Sequence, residues 1–102
     1  MIRNAADIRR KADELGSPFF SPPTMRYFNA RLLNTFRALN DDGTRGLFVT
    51  SERFDSDTPR EYRVRLYWFD MYSAQPFQVD TLECFTSRAQ AEKFVRNYSE
   101  AA

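Results

Sequence analysis

The stretch Glu61-Tyr-Arg-Val-Arg-Leu-Tyr-Trp-Phe-Asp70 alternates without a break. Tyr62, Val64, Leu66 and Trp68 fall in one phase, and Arg63, Arg65, Tyr67 and Phe69 in the other. Side chains repeat every two residues on a strand but every 3.6 on a helix, so the stretch reads as a strand over 61–71. One of its faces is apolar and the other mixes arginine with aromatic rings. A strand that presents two such different faces must belong to a sheet with a core on at least one side. Its neighbours continue the pattern. Residues 46–54 and 77–85 read as further strands, set off by the polar loop Asp55-Ser-Asp-Thr-Pro-Arg60 and the turn Tyr72-Ser-Ala-Gln-Pro76. The alternation of the last strand slips between Val79 and Leu82, which predicts a bulge near Asp80. Residues 32–39 fit either an extension of a preceding helix or a first strand. The Asn40-Asp-Asp-Gly43 turn after them favours a strand, since Asp-Gly is a hairpin signal.

Helical spacing appears at both ends. Ala5, Ile8, Ala12 and Leu15 place a helix over 4–15, with Asn4 as its cap and Gly16 at its close. The prolines of Ser17–Thr24 make a connector, because proline cannot donate a backbone hydrogen bond and drives its predecessor out of the α region. Phe19 and Phe20 read as staples pinning that connector to the core. Ser21 followed by Pro22 starts a second helix over 22–31, with Met25, Phe28 and Leu32 on one side. Ser87, with Gln90 three residues on, opens a last helix whose apolar stripe is Ala91, Phe94, Val95 and Tyr98. The chain of 102 residues therefore reads as one α+β domain: two N-terminal helices, an antiparallel meander of about four strands, and a C-terminal helix packed on the sheet. Trp68 and Leu66 are expected beneath that helix, against Phe94 or Val95.

Register follows one step further. If Leu47 and Val49 share the core face with Val64, Leu66 and Trp68, directly opposed residues must have numbers with an odd sum. A sum of about 115 sets Glu52 opposite Arg63, Thr50 opposite Arg65, and Phe48 opposite Tyr67, pairing opposite charges and rings across the strands. Phe48, Glu52, Arg63, Arg65, Tyr67 and Phe69 then lie on the second face.

Much chemistry is excluded by composition. The chain has no histidine and one cysteine, Cys84. Histidine-dependent nucleophile systems and Cys/His zinc sites are therefore ruled out, and no intrachain disulfide can form. Three glycines, none in a phosphate-cradling pattern, leave no nucleotide loop. No catalytic residue, metal or cofactor is expected, and Cys84 reads as an inert buried thiol. Fifteen basic against 14 acidic residues, a formal charge of +1, provide no global cationic excess for nucleic acid. There is no apolar run of transmembrane length and no signal-peptide core, so a cytoplasmic protein without membrane contact is expected.

Three readings of the arginine–aromatic face stay open. A helix could cover it, with the arginines pairing to acids at its edge. It could bind a protein through Arg63, Arg65, Tyr67, Phe69, Phe48 and Glu52, since arginine and aromatic residues carry interface hot spots. It could stack single-stranded nucleic acid. Positive charge here is nearly all arginine, Lys11 and Lys93 being the exceptions, which suits bidentate and stacked contacts better than diffuse attraction. Protein binding without enzymatic activity is the expectation adopted, with a nucleic-acid-binding accessory role as the alternative.

The segments Phe19-Phe-Ser-Pro-Pro-Thr-Met-Arg-Tyr-Phe28, Phe48-Val-Thr-Ser-Glu-Arg-Phe-Asp55 and Arg60-Glu-Tyr-Arg-Val-Arg65 resemble a family of small uncharacterised proteins of bacteriophages and bacterial mobile elements. The resemblance extends over about residues 5–96. It implies a phage or mobile-element origin and, by context, a host protein or protein complex in the host cytoplasm as partner. Inhibition of a host defence system, as by anti-CRISPR proteins, is the corresponding functional expectation.

Overall fold

The computed structural model describes residues 1–53 and 55–100. Phe54, expected to end the second strand, lies outside the described residues. The first helix, α1 (Ala5–Glu14), starts where the Asn4 side chain accepts the Asp7 N–H at 2.9 Å, and it closes at Gly16 with φ 73°. The second, α2, is shorter than the spacing predicts: it covers Pro22–Tyr27 and ends four residues early. Asn29 at φ 47° turns the chain out of it, a left-handed conformation that asparagine tolerates better than most residues. Ser21 does precede α2, but its hydroxyl engages the Thr24 hydroxyl at 2.9 Å rather than a backbone N–H.

Of residues 32–39, all but Leu39 lie in a strand. The sheet comprises β1 (Arg31–Ala38), β2 (Arg45–Glu52), β3 (Glu61–Phe69) and β4 (Phe77–Phe85). It is an antiparallel meander in the order β1-β2-β3-β4. The last helix, α3 (Arg88–Asn97), is capped by the Ser87 side chain, which accepts the Gln90 N–H. No helix among the described residues is long and apolar enough to cross a membrane.

Both faces of the sheet are covered. On one, Leu47, Val49, Val64 and Leu66 pack beneath Ala91 and Val95 of α3. On the other, Phe48, Tyr67 and Phe77 pack beneath Ile8 and Ala12 of α1 and beneath Phe20 of the connector. The molecule is thus helix, sheet, helix, with two cores. Leu66 is buried as expected, whereas Trp68 is only half-buried at the margin of the α3 core, where Arg45 lies 5.8 Å from its ring centre.

The register departs from the expected one by two residues. Opposed numbers sum to 113: Leu47 faces Leu66, Val49 faces Val64, Phe48 faces Arg65 and Glu52 faces Glu61. Parity, and with it every face assignment, is unchanged. The observed register sets apolar against apolar along the α3 face, and it places Gly46 opposite Tyr67. A Cβ at Gly46 would lie 2.9 Å from the Tyr67 hydroxyl oxygen, so glycine there leaves the space the phenol occupies. The Tyr67 O–H donates to the Gly43 carbonyl at 2.6 Å. Gly43 itself has φ 73° and sits under the Ile2 backbone, 2.4 Å from where its Cβ would be. The bulge in β4 falls at Leu82, two residues past Asp80: Val64 pairs with Glu83 and Arg65 with Thr81.

Candidate functional site

The six residues expected to bind a partner separate into two groups. Phe48 and Tyr67 are fully buried in the α1-side core, and Phe69 is half-buried beside them, its ring 5.0 Å from that of Phe77. Phe48 and Tyr67 therefore present nothing to a partner. The physical reason is that α1 and the Phe19–Phe20 staple close this face, so its rings find a core rather than solvent. Glu52, Arg63 and Arg65 stand further along the same face, toward the end of the sheet next to α2.

There they form a charge cluster. Glu52, with 8% of its side chain exposed, pairs with Arg63 at 3.4 Å and more closely with Arg65. Thr50 donates to the Glu52 carboxylate at 2.9 Å. Arg65 is itself 12% exposed. Its Nε donates to Thr50 at 3.1 Å and its Nη1 to Thr81 at 2.6 Å, and its guanidinium carbon lies 5.6 Å from the Phe19 ring centre. Arg63 is the accessible member, 38% exposed and also paired to Glu61 at 3.2 Å. Desolvation works against its charge, but Glu52 and Glu61 together hold its pKa above the ordinary value. Glu61 is lowered, first by a hydrogen bond from Cys84 and then by Arg63. Cys84 is exposed, contrary to expectation, because the sheet face around Arg63 lies beyond the N-terminal cover. Partial desolvation of its sulfur, with the hydrogen bond to Glu61 and that carboxylate's charge, pushes its pKa up, so the thiol form is favoured.

Beside this cluster stands a feature that sequence reasoning misses. Tyr27 is 81% exposed and Phe28 49%, their rings edge to face at 4.9 Å. The two rings end α2, and the early exit at Asn29 holds them proud of the surface. Asn29 Nδ2 donates to the Arg53 carbonyl at 3.1 Å, tying this corner to the β2–β3 loop. Within that loop the Asp55 carboxylate accepts from the Asp57 N–H and the Thr58 hydroxyl, both at 2.9 Å. Arg60 donates to the Ser51 carbonyl at 3.1 Å. The signal available in the sequence was two adjacent aromatic residues at a helix end, of which the apolar stripe needs only one. Tyr27, Phe28, Arg53, Pro59 and Arg63 surround an open hollow of about 630 Å³. Behind Phe28, a smaller cavity of about 160 Å³ reaches down to Glu52.

Such a surface brings exposed rings and arginines together, the residue types enriched at protein interfaces. Among the described residues, no three His, Cys, Asp or Glu side chains converge as a metal site requires. A family model described as a family of unknown function (DUF7447) matches residues 4–97. No curated protein and no solved structure matches the chain.

Proposed function

The chain belongs to the DUF7447 family of unknown function, and from the geometry of its α2 corner we propose that it is a non-enzymatic protein-binding module. The observation that carries this reading is the exposed Tyr27–Phe28 ring pair beside Arg53 and Arg63. Tyrosine and arginine dominate interface hot spots, and here two adjacent exposed rings stand beside two arginines around one hollow. The acids at the rim, Glu61 in the hollow and Asp55 and Asp57 in the loop, would oppose a phosphate backbone, which favours a protein over a nucleic acid. A host protein as that partner, a bacteriophage or mobile-element origin, and blockade of a host defence system extend the proposal. These extensions rest on the sequence resemblance alone.

The test is affinity capture from host lysate with the wild-type chain and with Tyr27→Ala, Phe28→Ala and Arg63→Ala. Capture of a defined protein should fall about thirtyfold in affinity for the strongest variant, the equivalent of about 2 kcal/mol, at unchanged melting temperature. Submicromolar binding to single-stranded DNA or RNA at physiological salt, lost with the same variants, would instead establish the nucleic-acid role.

A further inference from the structure

We propose that the cavity of about 160 Å³ behind Phe28 seats one uncharged aromatic side chain of the partner protein, carried next to a carboxylate. This rests on the protein-binding reading and specifies what the partner inserts. The walls are Phe19, Met25 and Phe28, and Ala30 lines one side. Apolar cavities of roughly 150 Å³ hold a benzene ring, so the volume fits one phenyl group.

The polar floor narrows the choice. Glu52 is held by two guanidiniums, which closes the floor to a cationic side chain. Every buried side-chain nitrogen and oxygen among the described residues already has a hydrogen-bond partner. A nucleobase pushed into the cavity would give up its water partners for few in return, whereas a phenyl ring has no polar edge to satisfy. The cavity shares Phe28, Glu52 and Arg63 with the larger hollow, which Arg53 also lines; Arg53 makes no ion pair among the described residues although its charge is felt at Asp55. A carboxylate next to the inserted ring would find its counter-charge there.

The probe is N-acetylphenylalanyl-glutamate amide, titrated into the isotope-labelled full chain and followed by NMR. Saturable shifts at Met25, Phe28, Ala30 and Thr50 are expected in the millimolar range. Binding should be at least tenfold weaker for the same peptide with alanine in place of phenylalanine. Arg53→Ala should weaken it severalfold, and Ala30→Met, which fills the cavity, should abolish it. If Ala30→Met does not fold, the phenylalanine–alanine contrast on the wild-type chain decides alone. Equal shifts from both peptides, shifts that survive in a folded Ala30→Met, or saturation by oligothymidine at the same residues would overturn the proposal. Partner capture that needs Tyr27 and Arg63 but is indifferent to a folded Ala30→Met would refute the cavity and leave the module reading standing. Capture indifferent to Tyr27, Phe28 and Arg63 would remove that reading itself.

Discussion

Arg65 and Arg63 lie two residues apart on one strand and share the same carboxylate, yet their surroundings make them unequal. Arg65 is nearly buried and satisfied by Thr50, Thr81 and Glu52, while Arg63 is 38% exposed. Removing Arg65 leaves Glu52 in a dry site with one half-screened partner. Arg65→Ala should therefore cost about 2–3 kcal/mol, below the roughly 3–5 kcal/mol of a fully orphaned buried charge because Arg63 remains. Arg63→Ala should cost less than about 1 kcal/mol, the range of an exposed pair. Urea denaturation of the two variants measures the difference, and equal losses would show that the cluster does not depend on burial. Tyr67 offers a second test. Burial, and to a lesser extent the charge of Asp42, raises its phenol pKa above the ordinary value. In the unfolded chain that phenol ionises near pH 10, so its contribution to stability is complete below about pH 10 and drains away as pH rises toward the folded-state value. In a phenolate absorbance titration, one of the five tyrosines should ionise last and together with unfolding. Tyr67→Phe should abolish that final step.

At the scale of elements, α3 is anchored by a residue some sixty positions earlier in the chain. Arg37 on β1 donates through Nη1 to the carbonyls of Val95 at 2.9 Å, Arg96 at 3.2 Å and Tyr98 at 2.6 Å. A cation at a helix C-terminus satisfies orphan carbonyls and opposes the dipole. Arg37→Leu should cost about 1–2 kcal/mol and speed amide hydrogen exchange in the last turn of α3 before that of β2 or β3. Uniform acceleration across the sheet would contradict a local cap. Nothing in local periodicity pointed to Arg37, since its partners are some sixty residues away. The elements themselves were legible because period two and helical spacing are local properties. Face assignment was legible too, through parity. Register was not, because a shift of two residues keeps every side chain on its face, and alternation cannot distinguish sums of 113 and 115. Tertiary fit selected 113, with Gly46 making way for Tyr67. Gly46→Ala would set a Cβ 2.5 Å from the Arg37 carbonyl oxygen and should cost about 1–3 kcal/mol by equilibrium unfolding. At the candidate site, the Glu52–Arg63–Arg65 cluster was legible from strand phase. Tyr27 was not, because its exposure depends on where Asn29 ends α2.

At the scale of the whole molecule, the two cores are the two sides of one sheet. Strand β2 is buried continuously from Gly46 to Glu52, with Leu47 and Val49 serving one core and Phe48 the other. Neither core can loosen without moving backbone that the other uses, so the domain should unfold as a unit. Phe20 and Trp68 allow a direct test from opposite sides. Phe20 is fully buried on the α1 side, within 5.7 Å of the Phe48 and Phe77 ring centres. Trp68 is the single tryptophan and packs against the α3 core, so its fluorescence reports the far side of the sheet. Phe20→Ala should remove about 3–5 kcal/mol, as loss of a buried aromatic ring does. If β2 couples the cores, the midpoint seen by Trp68 fluorescence should fall by the same amount as the midpoint seen by far-ultraviolet circular dichroism. A fluorescence transition that keeps the wild-type midpoint while the helical signal melts early would mean that the α1 layer peels away alone. The connector would then be a detachable cover, and Phe48 and Tyr67 would become reachable by a partner after all.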